Sequence, residues 1–421
     1  MEFRTYLCID LKTFYASVEC VERGLNPFDT RLVVADPERS EKTICLAISP
    51  AMKALGIKNR CRVFQIPKGV DYIMAPPRMA LYIAYSAKIY SIYLKYIAKE
   101  DIHVYSIDEA FLDVTDYLSL YQMSGHDLAV KIIKDIRDTT GITATVGIGT
   151  NLYLAKIALD ITAKHSKNHM GYLDETLFQK TLWKHLPLTD FWRIGSGTVS
   201  RLKKLGIFTM EDIAHAEEET LYRMFGVDAE LLIDHAWGRE STTIQDIKAY
   251  RPKGSSVSSG QVLSRDYSFE EGKLILKEMI DAICMDLMDK GVVTQSVTLM
   301  VGYSNVLQLR PANGTVSIQT YTNLYQVMLP YVLDLYEKIV SRHYPIRRLN
   351  ISCNGIVDEA YEQYGFFVDY RKIERERKLQ RATLEIKKKF GKNAVVRGMD
   401  LQEAATTMER NRQIGGHRSG E

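Results

Sequence analysis

The sequence predicts an α+β protein of several domains, with mixed sheets and helices, and three observations lead there. Its 421 residues exceed one ordinary core, since a domain usually holds about 100 to 200 residues. Short apolar runs bounded by turn residues alternate with helix-period stretches over the first 170 or so residues, and again beyond residue 254. Between these regions, after Trp183, the pattern is wholly helical. A composition of 46% hydrophobic and 25% charged residues, with 25 tyrosines and 13 phenylalanines, supplies ample core and excludes a globally disordered chain.

Residues 3–9 read as a strand ending at Asp10, and residues 11–22 as the helix that follows. Two β-type runs, 31–35 and 43–48, precede a short helix from Ala51 that stops at Gly56. After the Pro76-Pro77 break, residues 79–98 form a Tyr/Ala/Ile-rich helix. The runs 103–106 and 111–114 flank Ile107, Asp108, Glu109 and Ala110, which predicts a hairpin with adjacent acids. A helix over 127–138, a strand over 143–148 and a helix over 152–163 complete an antiparallel sheet with helices. Residues 242–253 read as a linker leading into the Ser/Gly-rich run 254–260. Strands over 294–303, 315–319 and 346–352, with helices over 271–288 and 322–341, make a second α/β unit.

No run of about 18 apolar residues occurs, and Met1-Glu2-Phe3-Arg4 lacks a basic segment followed by an apolar one, so a soluble cytoplasmic protein without membrane contact is expected. Six cysteines, at 8, 20, 45, 61, 284 and 353, form no C-x-x-C pair, which argues against a zinc site or a disulfide framework. The 55 basic and 52 acidic residues leave a net charge of +3. Eleven Lys or Arg against three Asp or Glu between Arg371 and Arg397 concentrate +8 there, as a solvated helix face or a nucleic-acid contact.

Asp10 at a strand end and Asp108-Glu109 at a hairpin tip face one point if their strands are neighbours. Acids at such places are ordinarily solvated. Clustered, they repel one another unless divalent cations occupy them, and hard oxygen ligands suit Mg²⁺ carrying a nucleoside triphosphate. Gly147-Ile148-Gly149-Thr150-Asn151 lacks the G-K-[ST] ending of a phosphate loop and reads as a turn.

Two segments carry more than spacing. Cys8-Ile9-Asp10-Leu11-Lys12-Thr13-Phe14-Tyr15-Ala16-Ser17-Val18-Glu19 and Tyr105-Ser106-Ile107-Asp108-Glu109-Ala110-Phe111-Leu112-Asp113 together resemble the two catalytic motifs of the Y-family, or translesion, DNA polymerases. Within that family the chain is most similar to the UmuC/ImpB/MucB/SamB-like branch, and the order of motifs covers nearly all of residues 1–370. The resemblance implies a right-hand polymerase: palm from 1–13 and 79–172, fingers from 14–78, thumb from 173–241, little finger from 254–357, and a basic tail from 358–421. It implies error-prone, DNA-templated synthesis from deoxynucleotides in DNA repair and damage tolerance, with primer-template DNA and dNTP as partners and two Mg²⁺ ions, or Mn²⁺, as cofactors.

By the same resemblance Asp10, Asp108 and Glu109 are metal carboxylates, with the Leu11 carbonyl a further ligand. Tyr15 is the steric gate beneath the sugar, with Phe14 beside it as a nucleotide contact or a core residue. The family often has an acid where Lys12 stands and an aromatic where Thr13 stands. Phosphate contacts fall to Lys53 in Pro50-Ala51-Met52-Lys53 and to Lys164, a residue later than in the commoner pattern; many relatives carry tyrosine where Pro50 sits. Arg193-Ile194-Gly195-Ser196-Gly197-Thr198-Val199, followed by Lys203 and Lys204, resembles a helix-hairpin-helix, whose exposed amides hold DNA phosphate without reading sequence. Gln363-Tyr364-Gly365-Phe366-Phe367 resembles the peptide that docks on the bacterial sliding clamp, through Gln363, Phe366 and Phe367; the alternative is aromatics packed on the protein itself. Two rival functions remain open from the sequence. A nucleotidyl cyclase shares the palm and its metal pair but has no need of the thumb motif. A non-catalytic DNA-binding accessory protein has no reason to gather the acids.

Overall fold

The structure, a computed structural model, describes residues 4–420 apart from 167, 253 and 362–369. Met1–Tyr250 with His417–Glu421 form one compact unit and Arg251–Gly416 a second.

The first unit opens with β1 (Tyr6–Leu11) and α1 (Phe14–Val21). A small sheet follows, in which β2 (Leu32–Val34) lies between β3 (Ala47–Ile48) and β4 (Ile73–Ala75), with the short α2 (Pro50–Ala54) after β3. Val33, Cys45, Ile48 and Met52 make its separate core. Then come α3 (Met79–Tyr93), β5 (Ile102–Val104), β6 (Glu109–Asp113), α4 (Thr115–Tyr121), α5 (Gly125–Thr140), β7 (Ala144–Gly149), α6 (Leu152–Ile157) and β8 (Met170–Leu173). The five-stranded sheet runs β5-β6-β1-β7-β8, antiparallel except for the parallel pair β7 and β8. Hydrophobic β1 is central: Leu7, Cys8 and Ile9 are fully buried, as a strand paired on both sides and covered on both faces requires.

Helix α6 is apolar apart from Lys156 because it is covered on every side. Leu152, Ala155 and Leu159 pack with Tyr6, Cys8 and Phe111 of the sheet. Tyr153, Leu154, Ile157 and Ala158 join the core of the helical segment that follows, which contains α7 (Glu175–Leu182), α8 (Ser196–Lys203), α9 (Met210–Ala214), α10 (Glu218–Phe225) and α11 (Asp228–Trp237). The helix expected to run unbroken to residue 163 instead widens into a π-turn over Ala158–Thr162, a local expansion often found at functional sites.

Further expectations need correction in this unit. The long helix predicted over 79–98 ends at Tyr93. Gly147-Ile148-Gly149, expected as a turn, closes β7; a Cβ on Gly147 would stand 2.0 Å from the Ala155 carbonyl oxygen and one on Gly149 2.2 Å from the Ala155 nitrogen. These glycines permit close helix–strand packing rather than a bend. The predicted linker 242–253 contains α12 (Ile244–Ala249), closed by a Thr243/Asp246 capping box and anchored by fully buried Ile244 against Tyr6, Cys8 and Phe111.

In the second unit β9 (Ser256–Tyr267), β10 (Val292–Tyr303), β11 (Ala312–Thr322) and β12 (Ile346–Asn354) form an antiparallel sheet ordered β11-β10-β12-β9. Helices α13 (Phe269–Asp289) and α14 (Tyr325–Ile339) share its core. The serine-rich run lies in β9, where Ser258 and Ser259 pair with Ser352 and Ile351. The basic segment is not a loose tail. It forms α15 (Tyr370–Phe390), whose buried Gln380 accepts from the Tyr325 amide at 3.1 Å and donates to the Asn323 carbonyl at 2.8 Å. Arg397 pairs with Asp281 of α13 at 2.7 Å, and the amides of Thr406 and Thr407 donate to buried Glu278. Buried polar groups of α13 thus depend on residues 380–407 for their partners.

Candidate active site

The pairing of β1 with β6 places the acids together. Asp10 lies directly opposite Glu109 in register, and the Leu11 amide donates to the Asp108 carbonyl at 2.9 Å. Residues opposite in an antiparallel pair project to the same face, so Cys8 and Asp10 share theirs with Phe111 and Glu109. Asp108 is held by the Ser106 hydroxyl, which donates to its Oδ1 at 2.7 Å. Burial, then the neighbouring charges of Asp108 and Glu109, push the Asp10 carboxyl up to about 7.

Glu109 is turned toward α6. The Lys156 ammonium reaches Oε1 at 2.8 Å and Oε2 at 2.9 Å, and the Asp160 carboxylate at 3.1 Å. The Cys8 thiol also donates to Glu109 Oε1, at 3.3 Å; its own ionisation is pushed far up by burial and then by Glu109. Burial opposes the Lys156 charge, yet Cys8, Asp160 and Glu109 around it hold the ammonium above its ordinary range. Among the described residues no three His, Cys, Asp or Glu side chains already form a metal cage. The donor set nevertheless fits a hard divalent cation: Asp10 and Asp108 offer carboxylate oxygens and Leu11 a carbonyl, and a cation would offset both the burial of the Asp10 carboxyl and the repulsion of its acidic neighbours.

Tyr15, half-buried at the start of α1, stacks on Tyr82 of α3 with ring centroids 4.5 Å apart and planes 17° from parallel. Tyr82 is fixed in turn: its hydroxyl donates to Glu19 Oε1 at 2.7 Å, and Arg78 clamps both Glu19 oxygens at 3.0 and 2.8 Å. The Tyr15 phenol is raised by burial and then by Asp108, so the ring stands within the field of the acids. Phe14 is buried and belongs to the core. Lys53 is lowered mainly by burial, with Asp10 attracting its charge and Lys164 repelling it; Lys12 is lowered by burial and then by Lys53. Lys53 thus feels the charge of Asp10, and Lys12 and Lys164 lie within the field of Lys53. Lys12 also meets the His169 ring, at 3.0 Å from Nε2.

Elsewhere in this unit Gly195 caps the N-terminus of α8 and Gly197 and Thr198 lie in its first turn. Both glycines are exposed, with nothing within 4 Å of where a Cβ would sit. Lys203 and Lys204 are exposed at the other end of α8. Gln363, Phe366 and Phe367 lie outside the described residues. Sequence reasoning missed Lys156 and Tyr82. A charged residue inside the apolar run Leu152-Tyr153-Leu154-Ala155-Lys156-Ile157-Ala158-Leu159, with an acid four residues on, was the available signal for the first.

Residues 9–160 match the impB/mucB/samB family, and residues 255–366 match the impB/mucB/samB family C-terminal domain. The chain is 31% identical over 420 residues to the putative UV-damage repair protein UvrX of Bacillus subtilis (strain 168), covering 99% of this chain and 98% of that one. It is 29% identical to DNA polymerase IV 2 of the same strain, covering 99% of both. A solved Y-family DNA polymerase chimera shares the fold, with a TM-score of 0.65 at 23% identity over 84% of this chain and 99% of that one. Its sheet of paired acids, its second α/β unit and these full-length relatives place the chain in the impB/mucB/samB family of Y-family, translesion DNA polymerases.

Proposed function

We propose that this translesion DNA polymerase joins a deoxynucleotide to a primer 3′-hydroxyl at the cluster of Asp10, Asp108 and Glu109, with DNA as template and pyrophosphate as product. The observation that carries the assignment is the register of β1 on β6, which puts Asp10 opposite Glu109 with Asp108 one residue away. Divalent cations bound there would activate the attacking hydroxyl and neutralise charge on the leaving pyrophosphate. Asp10, Asp108, Glu109 and the Leu11 carbonyl would hold them, Mg²⁺ by preference with Mn²⁺ able to substitute. Lys53 and Lys164, with Lys12 near Lys53, would meet the triphosphate, where point charges suit a polyphosphate. Tyr15, braced by Tyr82, presents a ring that excludes a ribose 2′-hydroxyl.

In this reading palm, fingers and thumb occupy 1–13 with 79–172, 14–78 and 173–241. The little finger occupies 254–357, and its fold extends through α15. The exposed α8 N-terminus and Lys203 and Lys204 contact the DNA backbone. The Gln363, Phe366 and Phe367 peptide docks on a sliding clamp, a reading supported by its motif alone. A cyclase or a non-catalytic binding protein is disfavoured by relatives that cover both units. Primer extension with Mg²⁺ tests the proposal: Asp108→Ala or Glu109→Ala should abolish incorporation while most DNA affinity persists. Near-normal incorporation by either variant would overturn it.

A further inference from the structure

We propose that Lys156 is a positioning residue of the active site: it aims Glu109 and supplies the counter-charge against which cations bind. Three features carry this. Helix α6 is enclosed on both faces, and the Lys156 side chain is only 9% exposed. A lysine in such a place is retained only with partners. The partners are specific: Lys156 straddles both Glu109 oxygens, at 2.8 and 2.9 Å, and takes Asp160 as its second carboxylate. The approach is built into the backbone, since Gly147 and Gly149 let α6 settle onto β7, and the π-turn carries Asp160.

Two consequences of opposite sign follow. A positive charge on Glu109 competes with any cation entering the cluster, so it weakens cation binding. The same contact fixes the Glu109 rotamer, so it favours a productive arrangement at the reacting atoms. A residue that only stabilised the fold would move both properties in the same direction when lost. The inference rests on Glu109 serving as a cation carboxylate, as proposed above.

The test uses the full chain and Mn²⁺ alone, without DNA or nucleotide, with free Mn²⁺ read by electron paramagnetic resonance at pH 8. Single-turnover incorporation is measured separately at saturating Mg²⁺ and dNTP. Lys156→Met should bind Mn²⁺ about tenfold more tightly than the unmodified protein yet incorporate at least about tenfold more slowly. Lys156→Arg, which restores the charge, should return the rate to within about threefold. Should the Met variant not fold, by circular dichroism, Lys156→Gln takes its place: losing the charge should tighten Mn²⁺ binding as in the Met variant, while the amide donor kept toward Glu109 should make the loss of rate smaller. Unchanged Mn²⁺ affinity, or affinity and rate falling together, overturns the role given to Lys156. Glu109→Gln is the control for the underlying reading: if it leaves Mn²⁺ binding intact, Glu109 is no cation ligand and that reading fails instead.

Discussion

Asp10 shows how a single residue stores the cost of a site. Its carboxyl titrates near 7 in the folded protein against about 4 in an unfolded chain. Between those values the folded state holds the additional proton, so stability falls as pH rises, and above about 7 the whole penalty, at most about 4 kcal/mol, is present. Asp10→Asn should therefore raise the melting temperature in a chelator at pH 8 by several degrees and have little effect near pH 4. A difference that does not vary with pH would show that the carboxyl is not strained. Tyr15 makes a separate prediction. With Tyr82 locked by Glu19 and Arg78, the Tyr15 ring has a rigid back wall, and if Tyr15 is the gate proposed above, Tyr15→Ala opens space rather than allowing collapse. Ribonucleotide incorporation relative to deoxynucleotide, at equal concentrations, should rise at least about tenfold. An unchanged ratio would return Tyr15 to the core, where Phe14 already is.

At the scale of elements, the contact of β7 with α6 sets the site. A methyl group on Gly147 would meet backbone atoms of Ala155 and Leu159 at 2.0 and 2.3 Å, and backbone cannot yield as a flexible side chain can. Gly147→Ala should cost about 3 kcal/mol or more through overpacking. By lifting α6 it should also slow incorporation, because Lys156 leaves Glu109. Chemical denaturation and single-turnover kinetics on one preparation check both; a stable, fully active variant would mean the packing is slack. The elements themselves were legible to different degrees. Strands β1, β6, β7 and β10 announced themselves as apolar runs. Strand β9 did not, because it is largely exposed and serine-rich, and its strand state comes from pairing with β12. Helix α12 hid in a polar stretch, with one buried isoleucine anchoring it.

For the whole molecule, the C-terminal segment is the main revision. Its charge was visible, but its structural work was not: Gln380, Arg397, Thr406 and Thr407 satisfy groups that α13 and α14 bury. Deleting residues 358–421 should lower the melting temperature by several degrees, since Glu278 and Asp281 lose their partners, and should flatten the salt dependence of DNA binding. The pair Phe366→Ala with Phe367→Ala should leave both unchanged and weaken binding to the sliding clamp about tenfold or more. Unaltered clamp affinity would remove the peptide from the reading.

What the amino-acid order determined by itself was local or carried by motif: the apolar runs, the acids at a strand end and a hairpin tip, and the family. What only the tertiary structure decided was which groups meet across distance. Lys156 lies 47 positions from Glu109 along the chain, and the Gly147 and Gly149 contacts that bring α6 down to it resemble a turn when read alone. The raised Asp10 needs two other carboxylates and burial, and neither is a property of its neighbours in sequence. Hydrophobic period and turn chemistry act over a few residues, whereas desolvation and charge pairing depend on the atoms the fold gathers within about 4 Å.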